Sequence, residues 1–357
     1  MEAAVVGAGT MGAGIAQLLA QQGIGVRIVD VSETVLDKAE AAISAGLVRA
    51  GKPEALAAVR KTVRLEDVGG CDLVIEAVAE RLDVKLELFA RLGKLVDPSA
   101  FLATNTSSLS VGKIAESASQ PERVLGLHFF NPAPVMRLVE VVRAERTSES
   151  AIRFGMEIAR RLGKTPVLCR DTPGFIANRV ARPFYLAGMR LLEGGAGSPL
   201  EIDRAVRERG GFKMGPLELV DLIGLEVNLA ITEAIYEGLG RPDRFKPCEV
   251  QRRLVERGEF GRKSGKGFYL YGGEPRKTKG PPAVVNPAVK EIVPGLASKP
   301  LPAERLFGEV LDGVIDEARR AASEAVASED DIDLAMTLGL NWPKGPLAWK
   351  KELSRHS

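Results

Sequence analysis

The chain begins with a short apolar run inside "AAVVGAGTMGAGIAQLLAQQG", turns at Gly7-Ala8-Gly9, and continues with apolar residues at helical spacing from about Met11 to Gln22. Strand, glycine turn and helix are thus expected in that order. A second strand, "GVRIVD", ends on Asp30, and a long polar-faced stretch from about Glu33 to Lys61 has helical character. Strand "DLVIEAV" at 72–78, a helix from about Val84 to Leu95 and strand "AFLATNT" at 100–106 continue the pattern. Strands alternating with helices predict a mostly parallel sheet covered on both faces, an α/β Rossmann-like dinucleotide-binding arrangement. Two more strand-like runs, "VLGLHFF" and "LVEVV", flank the turn signal "NPAP" and can lie side by side. Past Pro173 the periodicity becomes helical, with "GFIANRVARPFYLAGMRLLEGG" starting at Gly174.

This all-α second half contains a partial internal repeat. Residues 185–221 recur without a gap at an offset of 130, so that Ile202 matches Ile332, Asp203 matches Asp333, and Gly215-Pro216-Leu217 matches Gly345-Pro346-Leu347. No counterpart of "EVNLAITEAIYEGLG" at 226–240 follows in the second copy. The apolar positions Ile332, Met336, Leu338, Leu340 and Trp342 suit a buried helical face, so the second copy is expected to pack on the first. A Pro/Gly/Lys-rich segment between the copies suggests a linker. The domains expected are therefore 1–172 for the nucleotide, 173–272 helical, 273–302 linker, and 303–357 as the partial second copy.

Composition narrows the function. The 357 residues allow two or three domains, and 49 basic against 47 acidic residues, interspersed, point away from nucleic acid as a partner. Cys71, Cys169 and Cys248 lie far apart with no Cys-x-x-Cys pair, which argues against disulfides and structural zinc and for a reducing compartment. Neither a signal-like start nor a membrane-length apolar run is present, so a soluble cytoplasmic protein is expected.

Chemistry enters with the glycines. Gly7 permits the tight turn, Gly9 lets the backbone approach a pyrophosphate, and Gly12 lets the helix pack on the strand. Asp30 stands where an acid accepts hydrogen bonds from a ribose hydroxyl and repels a 2′-phosphate, favouring NAD over NADP. The polar "TNTSS" tail lies at the carboxyl end of a strand, where ligands bind in such sheets, and one of Ser107 and Ser108 is expected to cap the next helix. Only two histidines occur, and His356 is the penultimate residue, expected to fray. His128 is followed twelve residues later by Glu140 among valines. A buried glutamate demands a partner, and a carboxylate on one imidazole nitrogen makes the other a better base.

With these residues placed, the chain resembles the L-3-hydroxyacyl-CoA dehydrogenase family. "GAGTMGAGIA", "NTSSLS", "GLHFFNPAPVMRLVEVV", "DTPGFIANRV" and "GRKSGKGFYLY" occur in that family's order over residues 1 to about 272. The resemblance implies NAD-dependent, reversible oxidation of (S)-3-hydroxyacyl-CoA, with short-chain substrates such as 3-hydroxybutyryl-CoA favoured. It implies His128 as general base, Glu140 as its orienting partner, and Ser107 and Asn178 as donors to the substrate oxygen. Thr10, Met11, Glu80, Lys85 and Lys263 match positions that contact NAD along with Gly7, Gly9, Gly12, Asp30 and Ser107. Arg49 and Lys52 are candidates for the CoA phosphates. Acyl-CoA is the implied partner, with no nucleic acid, membrane or metal, and the helical domains are expected to form a homodimer or an intramolecular pseudo-dimer. The alternatives are another NAD-dependent 3-hydroxyacid dehydrogenase of the same superfamily or a catalytically silent NAD-binding relative.

Overall fold

The computed structural model describes residues 1–272, 282 and 284–353, which form two compact units, Met1–Phe175 and Ile176–Ser357. His356 and the first part of the segment expected to be a linker lie outside the described residues. Among the described residues no helix is long and apolar enough to cross a membrane.

The first unit is built on eight strands: β1 (Glu2–Val6), β2 (Gly25–Val29), β3 (Val59–Thr62), β4 (Leu73–Glu76), β5 (Phe101–Thr104), β6 (Val124–Phe129), β7 (Leu138–Arg143) and β8 (Thr165–Arg170). They form one sheet in the order β3-β2-β1-β4-β5-β6-β7-β8. Every neighbouring pair is parallel except β6–β7. Five helices, α1 (Thr10–Gln21), α2 (Glu33–Arg49), α3 (Leu82–Leu95), α4 (Val111–Ala115) and α5 (Glu149–Arg161), accompany the strands. Residues such as Ile15 and Leu19 of α1, Ile28 of β2 and Ile75 of β4 are fully buried in one core. Apolar strands buried on both faces need helices on each side, which the alternating sequence supplies.

The helical stretch expected over 33–61 is broken. α2 ends at Arg49, Gly51 takes φ +69°, and Pro53 opens a 3-10 turn over Pro53–Ala58 before β3 begins. Glycine beyond a helix end and proline soon after are stop signals, and here they override the polar periodicity. A second correction concerns the start of the second unit's first helix. Gly174 at φ +81° and Phe175 at φ +48° cannot be helical, so that helix begins at Ala177.

The second unit holds α6 (Ala177–Glu193), α7 (Pro199–Gly210), α8 (Pro216–Ile223), α9 (Leu225–Gly238), α10 (Glu249–Glu256), α11 (Pro287–Ile292), α12 (Ala303–Ser323), α13 (Glu329–Leu334) and α14 (Pro346–Leu353). Within the segment expected to be a linker, Asn286 is buried, donates to Gly267 O and Glu259 Oε2 at 2.7 Å each, and caps α11. The described part of that segment therefore carries a short helix, fixed to the preceding loop through Asn286.

The repeat has a physical meaning here. Asp203 of α7 accepts from the N–H groups of Leu217 and Glu218 at 2.9 and 2.8 Å, capping α8 from a neighbouring helix. In the second copy Asp333 caps α14 through Leu347 and Ala348, both at 2.9 Å. A Cβ on Gly215 would lie 2.3 Å from Asp203 Oδ1, and one on Gly345 would lie 2.4 Å from Asp333 Oδ1, so only glycine admits the capping carboxylate. α12 packs on α6 and α7, as expected for the second copy. Ile332, Met336 and Trp342 are buried, and Trp342 meets the rings of Phe184 and Phe212 at 5.2 and 5.3 Å between centroids. Leu338 and Leu340 are only half-buried.

Candidate active site

The glycine turn is shaped as its residues dictate. Gly7 adopts φ +101°, and a Cβ there would come within 2.5 Å of Ala77 O; at Gly12 one would lie 1.8 Å from Gly7 O. Around Gly9, by contrast, a Cβ would meet nothing within 4 Å, leaving its outer face open for a ligand. The N-cap of α1 is Gly9 itself, with no side-chain cap, so the helix start presents main-chain N–H groups suited to a phosphate. These residues border a cleft of about 710 Å³ lined by Gly7, Gly9, Thr10, Met11, Asp30 and Val78 among others. Asp30 accepts from Ala8 N at 2.8 Å and Ser32 N at 3.2 Å, while Ser32, not Asp30, caps α2. Asp30 therefore braces the glycine turn and borders the cleft. An open glycine face, an uncapped helix start and a carboxylate at the end of β2 fit a dinucleotide.

At the carboxyl ends of β4 and β5 a second cluster forms. Glu80 Oε1 accepts from Thr106 Oγ1 at 2.7 Å, Ser107 N at 2.8 Å, Ser107 Oγ at 3.2 Å, and both N and Oγ of Ser108 at 3.1 Å. The "TNTSS" loop thus wraps one carboxylate. Burial pushes the Glu80 carboxyl up, but the Lys85 charge and the hydrogen bonds from Thr106 and Ser107 outweigh it and hold the group below its ordinary value. Lys85 is 1 % exposed, with Nζ 2.5 Å from Glu76 Oε1 and 3.2 Å from Glu80 Oε2. The Lys85 ammonium, expected at the cofactor, is enclosed between the carboxylates of Glu76 and Glu80. The expected serine cap is also corrected, since Ser110 caps α4.

β6 and β7 bring the histidine to its partner. Antiparallel register sets His128 directly opposite Glu140, with Nδ1 2.6 Å from Oε2. Glu140 is fully buried on an interior strand, between β6 and β8, and His128 is 6 % exposed. A carboxylate can only accept, so Nδ1 carries a proton, and in the neutral ring Nε2 presents the lone pair. Phe130 and Phe175 stand against the ring at 4.6 and 5.8 Å between centroids. Asn105 Oδ1 accepts from Phe129 N at 2.8 Å, tying the end of β5 to the residue after the histidine. Behind the next turn, Lys164 Nζ donates to Ala133 O at 2.6 Å and Met136 O at 2.7 Å, and burial pushes its pKa down to about 8.

Sequence reasoning missed Glu76 and Lys164, and took Asn105 and Thr106 only as part of the polar "TNTSS" tail. For Glu76 a signal existed: it stands in the apolar strand "LVIE", just as Glu140 stands in "LVEVV".

Other expected site residues have local partners. Asn178 lies in the first turn of α6, where its carbonyl accepts from Arg182 Nε at 3.0 Å. Lys263 pairs with Glu226 and lies 5.5 Å from the centre of the Phe260 ring. Arg49 is the last residue of α2 and exposed. Lys52 is exposed too, but its Nζ donates to Gln21 O at 2.8 Å and closes the end of α1.

Comparison with known proteins agrees with this arrangement. Residues 2–172 match the 3-hydroxyacyl-CoA dehydrogenase NAD-binding domain, and residues 174–271 match the 3-hydroxyacyl-CoA dehydrogenase C-terminal domain. A 3-hydroxyadipyl-CoA dehydrogenase of Escherichia coli is 39% identical, over 98% of this chain and 90% of that protein. A probable 3-hydroxybutyryl-CoA dehydrogenase of Deinococcus radiodurans is 41% identical over 76% of this chain and all (100%) of its own length. The crystal structure of a 3-hydroxybutyryl-CoA dehydrogenase from Escherichia coli superposes with a TM-score of 0.89 at 36% identity, covering 99% of this chain and 91% of that one. Glycine turn, paired histidine and matched domains together make this chain a member of the NAD-dependent 3-hydroxyacyl-CoA dehydrogenase family.

Proposed function

We propose that this chain oxidises short (S)-3-hydroxyacyl-CoA thioesters to 3-oxoacyl-CoA, reversibly, with His128 as the base. The observation that carries the assignment is the buried 2.6 Å pair between His128 Nδ1 and Glu140 Oε2. NAD, when bound, supplies the acceptor for the hydride that leaves C3. His128 Nε2 takes the proton of the 3-hydroxyl as the C3–H bond breaks, and Glu140 stabilises the imidazolium that results. Ser107 Oγ donates to the developing carbonyl oxygen, a task that suits a side chain held in place before reaction. Glu80 fixes the Ser107 backbone. Arg49, exposed at the end of α2, is the better candidate for CoA phosphate, since Lys52 is engaged with Gln21 O. The helical second copy acts as an intramolecular stand-in for a dimer partner, supported by the packing of α12 on α6 and α7.

Chain length has two readings. The single-copy length of the Deinococcus relative supports 3-hydroxybutyryl-CoA, whereas the relative matched over 98% of this chain is named for 3-hydroxyadipyl-CoA, a short dicarboxylic thioester. The test is NADH oxidation with acetoacetyl-CoA and with free acetoacetate. Turnover only with the thioester supports the proposal; equal turnover of the free acid makes the chain a 3-hydroxyacid dehydrogenase, and no turnover of either leaves a silent NAD-binding relative.

A further inference from the structure

We infer that Glu76 is a positioning residue for the cofactor: its carboxylate anchors the Lys85 ammonium and thereby fixes both ends of the segment 76–80 that walls the dinucleotide cleft. The inference rests on that cleft taking NAD and on Ser107 serving the substrate oxygen, as proposed above. It concerns the first unit alone.

Glu76 is the last residue of β4 and has no exposure. Both of its oxygens are engaged, and they reach in different directions. Oε1 accepts from Val78 N at 2.7 Å and from Lys85 Nζ at 2.5 Å, while Oε2 accepts from Thr104 Oγ1, at the end of β5, at 2.6 Å. One carboxylate thus joins β4, β5 and α3. Lys85 Nζ also lies 3.2 Å from Glu80 Oε2, so the same ammonium holds residue 76 at one end and residue 80 at the other. Between those ends Ala77, Val78 and Ala79 line the cleft. The glycine turn presses on this segment too, since a Cβ on Gly7 would lie 2.5 Å from Ala77 O and 2.8 Å from Val78 N. Past Glu80 the chain of contacts continues to Ser107 N at 2.8 Å.

Stability alone does not account for such a group. A buried ion pair costs so much desolvation that packed apolar side chains of similar volume often serve a core as well or better. What the pair supplies is direction: charge-assisted hydrogen bonds are short and fix the atoms that share them. Without the Glu76 charge, the buried ammonium has Glu80 as its nearest remaining anion. Drawn toward Lys85, Glu80 would slacken its hold on the Ser107 loop, and the cleft wall at 77–79 would lose its fixed end.

The experiment compares full-length wild type, Glu76→Gln and the double variant Glu76→Gln/Lys85→Met by NADH fluorescence titration, by hydrogen exchange of the Val78, Ser107 and Ser108 amides without cofactor, and by denaturant unfolding. Glutamine keeps the size and hydrogen bonding of Glu76 but not its charge. Glu76→Gln is expected to bind NADH about tenfold or more weakly, the cost of leaving a buried charge without its partner, and to exchange those amides faster. The double variant, with no orphaned ammonium, should recover part of the affinity. Wild-type NADH affinity and exchange in Glu76→Gln would overturn the inference, whether or not its stability falls, since that marks a carboxylate of the core only. Equal affinities in the single and double variants, both below wild type, would also overturn it, because the effect would not run through Lys85. If Glu76→Gln does not fold, the double variant decides: wild-type affinity and exchange there reject the role, and weaker binding with faster exchange supports it. Acetoacetyl-CoA turnover by the wild type is measured alongside, and its absence would strike the proposed function while leaving the NADH comparison readable.

Discussion

Glu140 has no exposure and stands between Val139 and Val141, so its charge has value only through what it touches, and it touches His128 Nδ1. His128→Gln is expected to leave NAD affinity nearly unchanged and lower turnover by about two to four orders of magnitude, the usual contribution of a general base. Steady-state kinetics with acetoacetyl-CoA beside an NADH-binding titration measures both, and near-normal turnover would remove His128 from the mechanism. Glu140→Gln keeps a hydrogen bond but cannot stabilise imidazolium, so turnover should fall around neutral pH; full activity there would show that the pair does not act as a unit. Asp30 borders the cleft and also accepts from Ala8 N, so Asp30→Ala should do two things at once. It should raise the NADP-to-NAD ratio of kcat/KM, and it should weaken dinucleotide binding by loosening the glycine turn. A ratio that stays at the wild-type value would show that cofactor choice lies elsewhere.

One carboxylate gathers the hydroxyls and amides of the loop after β5. Glu80 accepts from Thr106, Ser107 and Ser108 and lies 3.2 Å from Lys85 Nζ. Its folded pKa is depressed, so it contributes stability above the unfolded value, about 4.3, and loses it as pH falls through the folded value. The loop should therefore loosen on the acid side. Glu80→Gln is expected to lower turnover through Ser107 and to remove that acid-side change, read as hydrogen exchange of the Ser107 and Ser108 amides between about pH 3 and 6. Identical pH profiles for variant and wild type would show that the loop is held by other contacts.

Across the helical unit the second copy closes a core that the first leaves open. Trp342 fills the space against Phe184 and Phe212, so Trp342→Ala should cost about 3–5 kcal/mol of unfolding free energy in that unit, with NAD binding retained. Denaturant unfolding followed by circular dichroism, with a parallel NADH titration, measures the two separately. Deleting residues 303–357 would also strip Glu317 from the fully buried Arg179, leaving an uncompensated charge beside exposed aromatic rings. Sedimentation should then show aggregation or a new oligomeric state; unchanged sedimentation and solubility would make the second copy dispensable.

Alternating strands and helices, the glycine turn, the Asp30 position and the repeat were all legible in the sequence, because each is a local pattern with a local physical cause. The His128–Glu140 pair was legible for a different reason: a carboxylate in an apolar run is so costly that it announces a partner. The same rule applied to Glu76 in "LVIE" would have pointed to a buried cation, but Lys85 sits on a helix, and nothing in its spacing separates it from solvated neighbours. Lys52 and Lys85 look alike along the chain; tertiary packing alone sends one to a helix end and the other between two carboxylates. The break in the stretch from Glu33 to Lys61 was present as Gly51 and Pro53, yet polar periodicity masked it until β3 was paired with β2. Only the fold could reveal that Asp203 and Asp333 cap neighbouring helices and that Arg182 is buried with no carboxylate partner among the described residues, because burial and side-chain pairing depend on which elements meet.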